Sequence, residues 1–456
     1  MSVNLHAQTG DFLYTQDQLK EAASDILHYA KELGSSDAAT EILESEGLSV
    51  LVRCGEVDTI EYNRDKMVSI TLFIGKKRGS ASTSDFSKKA LKDTVSAAYN
   101  IALFTAEDEA AGLADTELLE TKPCDLDLYH PWKISTAEAI NIARHVEDSA
   151  FEVSPLINNS EGANISTQHS QFVLATSDGF LDGYPYSQHS ISCLPIAGTG
   201  KNMQRDEWYT SKRRPSDLAL PSEVGRYAAR RALARMGARR LDTHKGPVLF
   251  EAPLATGLLS AFVQAVSGNM LYRKTSFLIE SIGKLVFAPH VQIIENPHIL
   301  RALGSAPFDQ EGVRTRARSI VKDGIVEGYF LSTYSANKLG VKTTGNAGGS
   351  HNLSLFSSET QPDDDLNAML KKLDTGLFLT ELMGQGINYM TGDYSRGAIG
   401  YWVKDGVIQY PVEEITIAST LSDIFRSIVA IGTDTIIRGR NETGSMLIEQ
   451  MTIGGQ

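Results

Sequence analysis

The sequence predicts an α+β fold in three parts: two N-terminal α+β lobes and a β-rich C-terminal domain of hairpins. Three observations predict it. The chain has 456 residues, too many for one ordinary core. Before residue 240, helical periodicity and strand alternation succeed each other twice. Beyond it, alternation dominates, with two Asp-Gly hairpin signals and dense glycine.

The first lobe, 1–125, opens on the helix Thr15–Gly34. Thr15 and Gln18 form a capping box, and Leu19, Ala22, Ala23, Ile26, Ala30 and Leu33 make its apolar face. Gly34 stands where a terminating glycine belongs. Ala38–Gly75 alternates as strand, and a second helix covers about Ser87–Phe104. Glu117–Ser135 lacks periodicity, holds two prolines and reads as a linker.

The second lobe, 126–240, starts with the helix Thr136–Phe151, boxed by Ser135 and Glu138. Strands follow, with a turn at Asp178-Gly179, then a helix over Glu223–Met236. In the C-terminal domain, 241–456, RSIVKDGIVEGYFLST and YWVKDGVIQYPVEEITIAS each set Asp-Gly between alternating runs. Gly246–Gly257 leads straight into a short helix near Leu258, with Leu258, Leu259, Phe262, Val263 and Val266 on one stripe. A helix entered from a strand is a common seat for chemistry, yet Ala252–Ile279 holds no His, Cys, Asp or Glu.

Composition narrows the function. Net charge is −13 and no block of five Lys/Arg occurs, so no nucleic-acid footprint is present. No apolar run approaches a membrane span, and MSVNLHAQTGDF lacks the basic and apolar regions of a leader. Cys54, Cys124 and Cys193 are isolated and odd in number, which points to reduced thiols in a cytoplasm. Of ten histidines no two are spaced i, i+4, and proline separates His290 from His298. Ser335-Ala-Asn-Lys338 spells S-x-x-K, but Ser267-Gly-Asn269 precedes it, the reverse of the order in penicillin-binding enzymes. Asp309 and Glu311 form an acid pair before a strand.

Eight segments in order, ASTSDFSKKALKDTVSAAYNIA, ATSDGFLDGY, RRPSDL, SFLIESIGK, PFDQEGVRTR, DGIVEGYFLSTYSANKLG, TTGNAGGSHN and MLIEQMTIGGQ, resemble the PmbA/TldD family, and its PmbA (TldE) branch most. The resemblance implies a cytoplasmic prokaryotic protein of a group described as zinc metallopeptidases or modulators of DNA gyrase. In the TldD branch an H-E-x-x-x-H helix and a distant cysteine hold zinc. TldD-like and TldE-like chains pair around a closed cavity that admits unfolded peptide as a β-strand. Here the motif falls on the helix near Leu258, with Ser260, Ala261 and Ala265 at the ligand, Glu and ligand positions, and Arg438–Leu447 has no Cys. No metal or catalytic residue is therefore expected on this chain, and zinc belongs to a partner.

The resemblance also matches segments that supply candidate cavity or partner contacts: Asp309, Glu311, Thr344, Gly345, Asn346, His351, Gly392 and Asp393. The expected function is a subunit that completes a peptidase chamber with a TldD-like zinc subunit, acting on unfolded peptides, with a homodimer in isolation. Two alternatives stand beside it: a peptide-binding or gyrase-modulating module without hydrolysis, and a self-sufficient hydrolase using Ser335/Lys338 or Asp309/Glu311.

Overall fold

A computed structural model describes residues 12–455. His6 and most of the stretch read for a leader lie outside the described residues. The chain forms two bodies, each discontinuous in sequence. One takes residues to 233 with 300–315 and 332–348, and the other takes 234–299, 316–331 and 349 onward.

In the first body one antiparallel sheet carries everything. β1 (Asp37–Arg53) and β2 (Glu56–Ile74) make a long hairpin, and β3 (Lys77–Thr83) adds to the end of β2. β4 (Ile157–Thr176) lies on the other side of β1, followed by β6 (Pro185–Ala197). The short strands β5 (Leu181–Asp182), β7 (Gln204–Arg205) and β8 (Trp208–Lys212) complete it. β1 pairs with β4 continuously from Ala39↔Thr176 to Val52↔Ala163. One sheet thus draws strands from both sides of residue 125, where the sequence places a boundary between two lobes. Glu117–Ser135 is not a free linker. Leu119, Leu126 and Leu128 are buried, and the Leu128 carbonyl accepts the Ser187 N–H.

Both expected capping boxes are present, at Thr15 on α1 (Gln16–Glu32) and at Ser135 on α3 (Thr136–Phe151). α1 and α2 (Lys88–Phe104) lay Leu19, Ile26, Leu91 and Val95 on Ile42, Ile70 and Leu72 of the sheet. Each such side chain contributes about 1.5–3 kcal/mol by leaving water. α4 (Pro221–Ala234) rests on α3 at Gly225, where a Cβ would fall 2.0 Å from the Val146 carbonyl oxygen. Gly225→Leu is expected to force the two helices apart and cost about 2–3 kcal/mol in urea denaturation. A wild-type midpoint would contradict that close approach.

The second body holds two six-stranded sheets. In one, β9 (His244–Phe250), β14 (Gly376–Met383), β15 (Asp393–Lys404), β16 (Val407–Thr420) and β20 (Met446–Gly454) run β16-β15-β14-β9-β20. β20 also pairs with β16, at Thr416↔Gly454 through Ala418↔Thr452, which closes a barrel. β17 (Ile428–Ile431) extends the pairing of β20. The other sheet is β12-β11-β10-β13-β19-β18, from Ile325–Val326, Arg318–Lys322, Val291–Asn296, Asn352–Ser357, Asn441–Thr443 and Ile436–Arg438. Helix α5 (Ala252–Ala265) packs among them, and Phe262 meets Phe287 and Phe425 edge-on at 5.0 and 6.0 Å. The expected hairpin turns are both present, with positive φ at Asp323-Gly324 and Asp405-Gly406.

Candidate functional site

α5 leaves β9 through Glu251, with proline in its first turn and the backbone of Ala255 already donating to the Glu251 carbonyl. It is apolar almost all round. Ala255, Leu258, Leu259, Ala261, Phe262 and Ala265 are buried, while Gly257, Ser260 and Gln264 form one exposed stripe. Two of the three positions matched to the lost motif, Ala261 and Ala265, thus point into the core. Ser260 alone reaches the open face, with Gln264 one turn on.

On that face Ser260 Oγ donates to the Thr256 carbonyl at 3.1 Å and accepts Nδ2 of Asn441 at 2.8 Å. Asn441 begins β19, inside the segment matched to the missing cysteine. The fold therefore joins the two sequence-distant segments, with hydroxyl and amide groups at the junction. Oδ1 of Asn441 is buried without a hydrogen-bond partner among the described residues. Zinc is held by thiolate, imidazole or carboxylate, and a neutral hydroxyl and two amides do not fit it. Among the described residues no three His, Cys, Asp or Glu stand together to hold a metal ion. Both ring nitrogens of His290 are engaged, by Ser357 Oγ at 2.8 Å and the Ile428 carbonyl at 2.9 Å.

His351 lies in the same body, just ahead of β13. Its N–H donates to Glu295 Oε1 at 2.8 Å, and Arg318 Nε donates to Glu295 Oε2 at 2.8 Å. Gly392 has φ 83°, and its N–H donates to the Asn388 carbonyl at 2.7 Å. Asp393 Oδ2 accepts Thr391 Oγ1 at 2.6 Å. These two residues shape a tight turn at the start of β15.

The remaining candidates meet in the first body. Asp309 is buried, and Oδ1 accepts the N–H of Glu311 at 2.9 Å and of Val313 at 3.0 Å. Oδ2 accepts the Ala347 N–H at 2.9 Å, which ties the acidic loop to the glycine-rich one. Burial and the neighbouring Glu311 carboxylate push Asp309 up to about 7, against the three N–H donors. Glu311 accepts the Thr333 N–H at 2.8 Å, at the first turn of α6 (Thr333–Leu339). Thr344 Oγ1 donates to Asn346 Oδ1 at 2.8 Å, and Gly345 has φ 72° with no room for a Cβ beside the Arg314 carbonyl.

The S-x-x-K spelling dissolves here. Ser335 completes the capping box of α6 and is buried, while Lys338 pairs with Asp108 at 2.7 Å. Neither residue has the geometry of an activated nucleophile. Sequence reading missed Gln264 and Asn441. The signal was available for Gln264, four residues after Ser260 on a helix whose other faces are apolar. Asn441 had none, since only the fold carries β19 to α5.

Known proteins agree with this architecture. Residues 41–102, 129–236 and 243–455 match the PmbA/TldA metallopeptidase domain 1, central domain and C-terminal domain. The chain is 45% identical over 439 residues to Metalloprotease PmbA of Escherichia coli O157:H7, covering 96% of each. It is 40% identical over 440 residues to a PmbA homolog of Haemophilus influenzae, covering 96% of this chain and 97% of that one. A TldD homolog from the same Haemophilus strain is 24% identical over 288 residues, 58% of each chain. A Bacteroides thetaiotaomicron crystal structure, described as a candidate modulator of DNA gyrase, superposes with TM-score 0.90 at 25% identity, covering 97% of this chain and all of that one. TldE from Thermococcus kodakarensis shares the fold, with TM-score 0.81 at 17% identity, over 95% of this chain and all of that one. With three domains matched in order and near-complete coverage by close relatives, the chain belongs to the PmbA/TldD metallopeptidase family.

Proposed function

We propose that this chain is a non-catalytic subunit of a cytoplasmic metallopeptidase acting on unfolded peptides, and that it completes a closed chamber with a zinc-bearing TldD-like partner. One observation carries the reading. The open face of α5 presents Ser260, Gln264 and the approaching Asn441, with no ligand for zinc and no carboxylate to take a proton from water. Haemophilus influenzae holds both a PmbA homolog and a TldD homolog resembling this chain, which supports a two-chain system. A closed chamber favours extended substrate, because a strand can enter a narrow opening and pair its backbone. No helix among the described residues is long and apolar enough to cross a membrane, and the three cysteines are free, in keeping with the cytoplasm.

The test mixes the purified chain with its zinc-bearing paralogue and follows cleavage of an unfolded substrate such as casein. Neither chain alone is expected to cleave it, and the mixture is expected to do so at least tenfold faster than the paralogue. A paralogue equally active alone would end the proposal.

A further inference from the structure

The second body contains a cavity of about 190 Å³ that no residue of α5 lines. It lies between the loop 277–286 and the short helix Leu421–Arg426. Hydrogen bonds fix the loop at several points. The Phe277 N–H donates to the Tyr389 carbonyl, the Ser281 N–H to the Tyr329 hydroxyl and the Gly283 N–H to the Val326 carbonyl, each at 2.8 Å. One wall is apolar: Phe277, Leu278, Ile279, Leu285 and Val286. Ile279 and Leu285 remain 37% and 44% exposed. The space suits a single residue, since sites for drug-sized ligands run to about 300–1,000 Å³.

The polar side of the cavity is cationic. Lys284 and Arg426 line it, both are exposed, and no carboxylate lines it with them. Among the described residues neither cation has an acidic partner, and Arg426 Nη2 donates only to the Leu285 carbonyl, at 3.2 Å. That bond shows which way the loop backbone faces. The Lys284 carbonyl accepts the Val326 N–H at 3.1 Å, and the Val286 N–H donates to the Gly324 carbonyl at 2.9 Å. Both groups therefore turn toward the hairpin of β12. Leu285 stands between them, opposite Ile325 in an antiparallel bridge, so its own N–H and C=O turn the other way, to the side of Arg426. The carbonyl is engaged there, while the Leu285 N–H has no acceptor among the described residues. A main-chain donor without an acceptor, beside two unpaired cations, is the chemistry that receives a carboxylate.

We infer that this cavity captures the C-terminus of an extended peptide whose last residue is apolar, with the α-carboxylate held by the Leu285 N–H, Lys284 and Arg426. The last side chain fills the space against Phe277, Ile279 and Val286. The inference rests on the proposed peptide role only in taking the carboxylate from a peptide. Its test uses this chain alone, so a failure here leaves the casein assay of the two-chain system untouched.

Fluorescence anisotropy on the full chain provides that test. The probe is a short peptide of glycine, serine and alanine that ends in leucine with a free carboxylate and carries fluorescein at its N-terminus. Saturable binding with a Kd of about 100 μM is expected. The same peptide as its C-terminal amide should bind at least about tenfold more weakly, because the charge-assisted contacts are lost. Lys284→Glu, an exposed change with no partner to lose, should weaken the acid peptide by a similar factor. Lys404→Glu makes the same charge change on an exposed lysine at the end of β15 and should bind as wild type. Equal binding of acid and amide would overturn the inference. So would wild-type affinity in Lys284→Glu, an equal loss in Lys404→Glu, or no saturation by about 1 mM chain. Displacement of the probe by sodium hexanoate as readily as by unlabelled peptide would overturn it too, since the cavity would then serve free carboxylic acids.

Discussion

Ala261→Glu combined with Ala265→His is expected to stop the second body from folding, whereas Ser260→His with Gln264→His is expected to leave it intact. Both pairs place motif-like residues on the same helix. The difference is which way they face. Ala261 is 2% exposed and Ala265 0%, and both belong to the core around Phe262 and Phe287. A carboxylate and an imidazole there would find no water, no partner and no room. Overpacking costs about 1–3 kcal/mol, and an unpaired buried polar group adds several more. Together they approach the whole stability of an ordinary domain, about 5–15 kcal/mol. Soluble yield and urea denaturation read the outcome directly. If the buried pair unfolds at the wild-type midpoint, the orientation of α5 described above is wrong. Adding Asn441→Cys to the exposed pair should go further and create a zinc site of about one ion per chain, since two imidazoles at i, i+4 would share a face with a thiolate.

Asp309→Ala is expected to cost about 3–5 kcal/mol, because three buried N–H groups lose their acceptor at once. Asp309→Asn is the sharper probe. It keeps one carbonyl oxygen, so about 1–3 kcal/mol is expected, and it removes the titration. Asp309 is pushed up to about 7 from an ordinary 3.8, so the folded chain holds this proton more tightly than the unfolded chain. The resulting stabilisation is full below about pH 4 and is lost as pH rises through about 7. Wild-type stability should therefore fall between pH 4 and 7 by about 1 kcal/mol or more per unit, relative to Asp309→Asn. Parallel profiles for the two proteins would mean that Asp309 is already ionised throughout, held by its N–H donors.

Much of this architecture could be read from local chemistry. The capping boxes at Thr15 and Ser135 and the Asp-Gly turns at 323–324 and 405–406 depend on residues within a few positions of one another. The β1–β2 turn escaped because it uses Cys54-Gly55, with Cys54 at φ 51°, where Asn or Asp is the usual signal. Alternation simply runs through it. The continuity of β1 with β4 escaped for a different reason: some 100 residues separate the strands, and pairing at that range leaves no mark in a local pattern. The same limit governs the candidate site. An empty helix and a missing cysteine could be seen separately, but not that Asn441 would bond to Ser260. The inward facing of Ala261 and Ala265 is set by the packing of α5, whose apolar surface is so wide that Ser260 and Gln264 alone among its side chains mark the open side.

The closure of the barrel by β20 also has a consequence for synthesis. β20 lies between β9 and β16, and it follows every other strand of the barrel in the chain. Until it is made, β9 and β16 each keep a bare edge, and the earlier body itself waits for residues 332–348. Neither body can mature in the simple N-to-C order that protects many multidomain chains during translation. A nascent chain halted shortly before Met446 would carry two sticky strand edges and most of its apolar core without the piece that seals them.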